Sequence, residues 1–328
     1  MRLLTGVFAA ILFLCVPAFS QSPPGDRQGQ APQQEPEKKP EPNSQEQGKP
    51  EPEEPDFAFL SGSAYTQTGK SAQFIHQFAY GTRRFPEPTG HRNEDNLVFF
   101  FRNEIGLTDR WELDIVTPAS GTRTRRNGAT AASSYGYAET ILGVRYQFFH
   151  ERSAPFTLTM GPQAILPTGS VHKGTGRGSA GVAWDFAATR DWGGPVFLYT
   201  TLNCAFLPAG DDPTPGSRRE FFLRNYQWAT ALGIRALEHP VRGSKHDIHV
   251  FLEFGGNFGD VVQPGALTGQ RVGQLSWLVS PGVRYGFITP RKTLIEIGVA
   301  APIGLGPNGP KKGLLVQFQL EKLFQQPR

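Results

Sequence analysis

Large apolar side chains stand at every second position in the run Leu142-Gly143-Val144-Arg145-Tyr146-Gln147-Phe148, with small or polar residues between them. Successive side chains of an extended strand point to opposite faces, so this run has an apolar face and a face that carries Arg145 and Gln147. A helix, with its period of about 3.6 residues, would scatter both kinds around its surface. The run therefore predicts a β-strand that separates an apolar environment from a polar one.

The same alternation recurs along the rest of the chain. In another stretch Ile248, Val250 and Leu252 oppose His249 and Glu253. Stretches of about ten residues with this pattern, separated by turn residues, are typical of membrane β-barrels. Twelve of them occur at 73–83, 97–107, 110–119, 137–149, 155–166, 179–190, 195–206, 221–236, 247–258, 273–287, 293–302 and 313–324. Because only helices and closed sheets satisfy every backbone group in a bilayer, we predict an all-β, antiparallel transmembrane β-barrel of about 12 strands over residues 73–328.

Short and long links alternate between the predicted strands, as they do at the two rims of an outer-membrane barrel. The link at 107–110 is short and the link around 121–134 is long, whereas 237–245 is long where a short turn is expected. We expect the basic residues of the long links to meet the anionic lipid and lipopolysaccharide of an outer leaflet. These residues are Arg83, Arg84, Arg92, Arg123, Arg125, Arg126, Lys173, Arg177, Arg218, Arg219, Lys311 and Lys312.

The first 20 residues have the features of an export signal. Arg2 precedes an apolar stretch over 3–16, and Ala18 and Ser20 place small residues where a signal peptidase reads. The stretch falls short of the roughly 20 residues that a spanning helix needs. We therefore predict a cleaved signal peptide at 1–20 and localisation in the outer membrane of a bacterial cell. Cys204 is then the one cysteine of the mature chain, which excludes an internal disulfide.

Residues 21–56 form a leader rich in Pro, Glu and Gln, with nine acidic and four basic residues. Such a composition buries too little apolar surface to offset the entropy of ordering, so we predict disorder. Two interpretations of the leader remain open, a solvated spacer and a docking segment for a periplasmic partner. Residues 57–72 follow and include Phe57-Ala58-Phe59-Leu60, which makes this pre-barrel segment a candidate plug of the lumen.

Charged residues on the predicted inward faces are the candidates for lining the lumen. Twelve strands enclose a narrower lumen than a 16-stranded porin, so we expect these charges to pair across it. A paired set either gates small solutes or closes the lumen, and the sequence leaves both open. The candidates are Arg102, Glu104, Glu112, Asp114, Glu139, Arg145, Asp185, Arg235, Glu253, Arg284, Glu296 and Glu321.

Two prolines interrupt predicted strands. Pro162 and Pro281 cannot donate to a strand ladder, and proline within a sheet marks edges or bulges. We favour a β-bulge at each position over the alternative, a lateral opening in the wall toward the lipid. Such an opening would suit a hydrophobic solute.

No arrangement of residues predicts an enzyme. His246 and His249 could form a pair of metal ligands, but strand alternation places them on opposite faces. His76 lies on the lipid-facing row, where a lipid hydrolase would need a nearby serine, and no serine signature accompanies it. We predict no catalytic residue, cofactor, metal ion or nucleic-acid partner.

Two short motifs carry a family resemblance. Residues 106–113 read Gly106-Leu107-Thr108-Asp109-Arg110-Trp111-Glu112-Leu113, and residues 166–169 read Leu166-Pro167-Thr168-Gly169. These resemble a turn and a loop entry of the outer-membrane barrels grouped as the MetA-pathway of phenol degradation family. The resemblance covers about residues 73–324 and implies a barrel that passes small hydrophobic or aromatic compounds. The acidic leader is no part of that pattern.

The sequence thus predicts an outer-membrane channel or transporter for small, hydrophobic or aromatic molecules. Its last predicted strand ends near Phe324, and outer-membrane assembly machinery recognises terminal strands of this kind. Two alternatives remain. One is an anchoring barrel whose leader binds a periplasmic partner, and the other is an outer-membrane lipid hydrolase.

Overall fold

The computed structural model describes residues 58–67, 69, 71–87, 90–151, 153–241, 244–263, 265, 269–290, 293–306, 308 and 311–323. The predicted signal peptide, the leader, Phe57 and Phe324 lie outside these residues. None of the described residues belongs to a helix that is both long enough and apolar enough to cross a bilayer. All the regular structure among them is β-strand.

The described residues form fourteen strands, which we number in chain order. They are β1 Ser71–Glu87, β2 Gly90–Gly106, β3 Trp111–Arg126, β4 Ala129–Tyr137, β5 Thr140–Phe149, β6 Thr157–Leu166, β7 Gly181–Asp191, β8 Val196–Asp211, β9 Glu220–Val241, β10 Ser244–Gln263, β11 Gln270–Ile288, β12 Thr293–Ala300, β13 Ile303–Gly304 and β14 Lys312–Leu323.

Twelve of these strands close into one antiparallel barrel. Neighbours pair in the order β1-β2-β3-β5-β6-β7-β8-β9-β10-β11-β12-β14, and β1 pairs with β14 over Ser71↔Leu323 to Thr82↔Lys312. Closure leaves no unpaired sheet edge in the wall. The two further strands are extensions, since β4 pairs with β3 and the short β13 joins β11 and β14. The predicted closed barrel of about twelve strands is therefore confirmed.

The two faces of the wall differ as the alternation predicts. Outward side chains are apolar and exposed, among them Val182 at 59% and Leu252 at 54%. Inward side chains such as Arg145 and Glu253 are polar and buried. This distribution is the reverse of a soluble protein and suits a barrel with lipid outside and polar groups inside.

The barrel has a turn end, with links such as 107–110 and 192–195, and a loop end, where β1 meets β2 and β3 meets β4. At the loop end the predicted long link at 121–134 is wrong, because β3 and β4 form a hairpin. Its turn lies at Asn127 and Gly128, with φ of 49° and 87°. The expectation of loops is also wrong for seven basic residues that lie in strands, namely Arg83, Arg84, Arg92, Arg123, Arg125, Arg126 and Lys312.

These corrections share one physical cause. Where a strand continues beyond the apolar band of the membrane, its outward residues no longer need to be apolar, so the alternating signal disappears. The same holds at the turn end for the irregular link at 237–245, because β9 continues to Val241 and β10 begins at Ser244.

Pro162 and Pro281 lie in β6 and β11 with exposed, outward side chains. Our expectation of a β-bulge at each is wrong. The β6–β7 and β10–β11 registers run unchanged through Pro162↔Trp184 and Leu252↔Pro281, and the β5–β6 register shift lies at Gln147/Phe149. Each proline instead stands at a break in the pairing on its other side, and at Pro281 a hydrogen bond from Ala301 N to Pro281 O, 2.9 Å, bridges the break. The β5–β6 pairs skip from Gly143↔Gln163 to Tyr146↔Met160, and the β11 pairs skip from Gly282↔Ala300 to Val279↔Ile303.

Candidate functional site

Six of the predicted lumen-lining residues form one network, which we call the charge ladder. Arg102 lies between Glu104 and Asp114, at 2.9 and 2.7 Å, and Arg145 lies 2.9 Å from Glu112 and 3.5 Å from Asp185. The ladder thus links β2, β3, β5 and β7 on their inward faces. Because Arg145 is 1% exposed and Glu112 fully buried, the ion pair between them is shielded from solvent and gains strength from the low local dielectric. The members of the charge ladder are Arg102, Glu104, Glu112, Asp114, Arg145 and Asp185.

The other predicted lumen-lining residues lie elsewhere. Arg235 pairs with Asp191 near the turn end, and Glu321 of β14 lies opposite Gln73. Glu139 occupies the bend between β4 and β5 and accepts a hydrogen bond from the backbone N–H of Arg177 in a loop. Glu139 therefore connects this bend to the loop that contains Arg177 and does not belong to the charge ladder.

Arg284, Glu296 and His249 form a second buried cluster on β10, β11 and β12. Ligand atoms of Asp247, His249 and Glu296 lie within 4.8 Å of one another, a spacing that suits a metal ion. The guanidinium of Arg284, however, lies 3.1 Å from His249 Nδ1 and 3.2 Å from Glu296 Oε1. A fixed positive charge already stands among these atoms, which disfavours a divalent cation beside it.

The two remaining histidines of interest face outward. His246 contacts the Tyr285 hydroxyl at 2.5 Å, on the face opposite to His249. His76 lies in register with Phe101 and Phe318, and its ring packs against both. Its cross-strand neighbours are thus aromatic rings, and neither offers the hydroxyl of a hydrolase nucleophile.

Residues 58–67, which we call the inner segment, lie inside the barrel against its polar face. Leu60 N and Ser61 N donate hydrogen bonds to Glu253 Oε1 at 2.8 and 3.2 Å, and Gln67 N donates to Glu112 Oε2 at 2.7 Å. Since Glu253 belongs to β10 and Glu112 to β3, the segment crosses the lumen from one wall to the other before β1 begins. Further hydrogen bonds join it to Gln77, Gln147, Thr159 and Thr189.

Phe59 is the apolar contact of the inner segment with the wall. Its ring meets Phe251 edge-on, with 5.8 Å between centroids, and both belong to a buried cluster with Phe197 and Tyr199. The ring occupies a niche that exists because β12 has no side chain there. A Cβ placed on Gly298 would lie 2.5 Å from Phe59 Cε1, closer than real Cβ contacts allow.

A polar cavity of about 420 Å³ opens at the loop end. It is lined by side chains of β1, β2, β10 and β11 and by Asn308. Its volume falls in the usual range for sites that hold small molecules. The lining residues are Arg83, Arg92, Glu94, Asn96, Gln263, Gln274 and Asn308.

Asp212 joins the β8–β9 and β10–β11 links across the loop end. Its carboxylate accepts hydrogen bonds from Gly269 N at 2.6 Å, Thr214 N at 2.9 Å and Ser217 Oγ at 2.8 Å. Burial alone would raise the pKa of the Asp212 carboxyl, but these hydrogen bonds outweigh it and hold the pKa well below its usual range. The carboxylate therefore stays ionised and fixes the two links to each other.

The predicted lumen-lining residues include only some of those that hold the inner segment, namely Glu112, Arg145 and Glu253. The other contacts are with neutral side chains, which are not among the predicted lumen-lining residues: Gln77, Gln147, Thr159 and Thr189. The strand alternation could have identified them, because each is a polar residue on the inward face of its strand. The inner segment itself has no period of two, so nothing in its sequence could assign the side chains it meets.

The sequence matches no protein-family profile and no curated protein. Among solved structures, the fold is similar to the COG4313 outer membrane channel from Pseudomonas putida F1, with 13% identity and a TM-score of 0.54 over 80% of this chain and 98% of that one. The beta domain of the Bordetella autotransporter BrkA matches with 9% identity and a TM-score of 0.47, over 78% and 100%. The CymD monoaromatic hydrocarbon channel matches with 7% identity and a TM-score of 0.33, over 79% and 90%. The first of these likenesses establishes the fold of an outer-membrane β-barrel.

Proposed function

We propose that this chain is a bacterial outer-membrane channel that passes small molecules when the inner segment leaves the lumen. The main support for this proposal is the way in which the inner segment is bound inside the barrel. It crosses the lumen through hydrogen bonds and the packing of Phe59, and none of its residues belongs to a strand of the wall. A hydrogen bond to a neutral group contributes about 0.5–1.5 kcal/mol and one to a charged group about 1.5–3 kcal/mol, so the sum of these contacts sets how often the segment leaves. The wall keeps its own strand pairing when these contacts break.

The solute class that we propose is small aromatic or hydrophobic molecules, preferably with a polar substituent. The niche at Gly298 and Phe251 already holds one phenyl ring, that of Phe59, so it would accept another when the inner segment leaves. The polar lining of the loop-end cavity suits a hydroxyl or charged substituent. The resemblance of the 106–113 motif to the MetA-pathway of phenol degradation family supports the same solute class.

The charge ladder would then set the preference among charged solutes. It has two arginines and four carboxylates, all fixed on the wall. Excess negative charge on the wall of a narrow pore favours cations over anions. We therefore expect an open barrel that prefers cationic solutes. The export signal at 1–20 and the partners of the leader remain predictions.

Ion conductance of the purified protein in planar bilayers tests this function. Gly298→Ala should push Phe59 from its niche, and Phe59→Ala should remove the ring. Burial of such a ring contributes about 1.5–3 kcal/mol, so each variant should raise the open fraction about ten- to hundredfold. The double variant should open no further than Phe59→Ala alone, because both changes remove one contact.

Two controls complete the experiment. Gly194→Ala adds a methyl group at the turn end, where nothing lies within 4 Å of the new Cβ, and should leave conductance unchanged. Benzylammonium should block the current of the open variants more strongly than methylammonium, which has the charge without the ring. A barrel that conducts in none of these variants would support the alternative of an anchoring barrel and overturn the proposal.

A further inference from the structure

The outward face of the β1–β4 hairpins carries an ordered set of polar residues at the loop end. Three rows run across the paired strands. The first row consists of Tyr80, Leu97, Gly121 and Tyr135. The second row consists of Thr82, Asp95, Arg123 and Ser133. The third row consists of Arg84, Asn93 and Arg125. We call the first row the tyrosine row, and the second and third rows together the arginine rim.

The height of the arginine rim follows from strand geometry. Trp111 begins β3 at the turn end with an exposed ring, and Gly121 of the tyrosine row lies ten residues further along the strand. With a rise of about 3.3 Å per residue and a tilt of about 40°, the two rows are about 25 Å apart, which equals the apolar band of an outer-membrane barrel. Tyr135, 58% exposed, then lies in the aromatic girdle at the interface. Arg123 and Arg125 lie about 5 and 10 Å beyond it, at the level of lipid headgroups.

Asp95 fixes the geometry of the rim. It accepts hydrogen bonds from Thr82 Oγ1 at 2.8 Å and Tyr80 Oη at 3.1 Å, and Arg125 Nη2 lies 2.6 Å from its Oδ2. Among the described residues no acceptor lies within hydrogen-bond distance of Arg125 Nε, which is shielded from solvent. Arg84 and Arg123 are exposed on the same face.

Charge and spacing together indicate the ligand. The rim carries three arginines against the one carboxylate of Asp95, so its net charge is positive. Arg123 and Arg125 stand on one face two residues apart, about 7 Å, and Arg84 stands two strands from Arg125, about 10 Å. Guanidinium groups at these spacings can share the oxygens of one phosphate group, which they bind with planar, charge-assisted hydrogen bonds.

We propose that the arginine rim binds the phosphate group of a membrane lipid in the leaflet at the loop end. The ligand class is a phosphorylated lipid headgroup, with the acyl chains lying along the apolar wall below the tyrosine row. This site lies outside the barrel, and it does not depend on whether the lumen conducts.

Native mass spectrometry of the full-length protein in dodecyl maltoside tests the site with diphosphorylated lipid A as the probe. Removing one arginine near a membrane surface costs about 1 kcal/mol, so Arg123→Gln and Arg125→Gln should each weaken binding about fivefold. Arg218→Gln, which removes the same charge from an exposed loop of the same end, should bind like the wild type. An equal loss in Arg218→Gln would overturn the proposal, since general attraction to the charged end would then explain the binding.

Two further measurements separate a built site from other sources of binding. Asp95→Asn makes the rim more positive, so general attraction predicts tighter binding, whereas a site that needs Arg125 in place predicts weaker binding. Tighter binding would overturn the proposal. Competition by inorganic phosphate as strong as by the lipid would also overturn it, because the site would then recognise free phosphate. Circular dichroism of each variant should match the wild type.

Discussion

Arg145 donates a hydrogen bond from Nη2 to the carbonyl oxygen of Ser63, 2.6 Å away. The same guanidinium lies 2.9 Å from Glu112, whose other carboxylate oxygen accepts a hydrogen bond from Gln67 N. One buried ion pair thus serves both the wall of the barrel and the inner segment that crosses it. The network that stabilises the closed barrel also favours the occupied lumen.

Arg145→Met should destabilise the barrel by about 3–5 kcal/mol, because it leaves buried carboxylates without their arginine. Urea unfolding of the purified protein in lipid vesicles measures the loss. Arg123→Met removes an exposed arginine and should change the free energy of unfolding by no more than about 0.5 kcal/mol. If both variants unfold at the same urea concentration, the charge ladder does not stabilise the wall.

The wall of the barrel was predictable from the sequence because lipid on one side imposes a strict period of two. That constraint gave the twelve strands from β1 to β14 and the inward positions of Arg102, Glu104, Glu112, Asp114 and Arg145. The period of two is lost where the strands extend beyond the membrane, because lipid no longer constrains their outward residues. The β3–β4 hairpin was therefore missed, although Asn127-Gly128 is a strong signal for a two-residue hairpin turn.

The contacts across the lumen were not predictable in the same way. The position of Phe59 depends on missing side chains at Gly282 and Gly298, on two strands more than two hundred residues further along the chain. Such long-range complementarity leaves no local pattern. The effect of the two prolines was not predictable either. The sequence shows that each lacks a backbone N–H donor, but not whether the neighbouring strand shifts its register or the pairing is interrupted.

Replacing both prolines tests a lateral exit for hydrophobic solutes. Pro162→Val combined with Pro281→Val restores a donor at each break in the pairing, so a lateral opening should close. We expect slower uptake of a hydrophobic solute by cells that carry the double variant, with ion conductance of the purified barrel unchanged. Uptake equal to that of the wild type would show that the breaks do not serve as openings.

The link between the β8–β9 and β10–β11 loops should depend on pH through Asp212. Because the folded pKa of this carboxyl is lowered, its stabilising contribution is complete above the ordinary Asp pKa of about 3.9 and is lost as the pH falls through the folded value. The thermal unfolding temperature of Asp212→Asn should therefore be lower than that of the wild type between about pH 5 and 8, and the two temperatures should converge in stronger acid.

Glu220→Gln is the matched control for this comparison, since Glu220 is exposed at the same end of the barrel. Its unfolding temperature should equal that of the wild type at every pH. A difference between Asp212→Asn and the wild type that stays constant down to the lowest pH would contradict the role of the ionised carboxylate.

Solutes should pass only when the inner segment leaves the lumen, and a disulfide that reversibly fixes this segment to the wall tests the dependence. Ala64 N donates to Thr189 Oγ1 at 2.8 Å, so the inner segment and the wall are in contact here, and we choose these two positions for a pair of cysteines. We would record the bilayer conductance of Ala64→Cys with Thr189→Cys in a Cys204→Ser background, which removes the one thiol of the part of the chain that the structure describes. We predict no conductance when the pair is oxidised and its return on reduction, with each single-cysteine variant insensitive to redox state. Equal conductance in the oxidised and reduced forms of the pair would contradict the account.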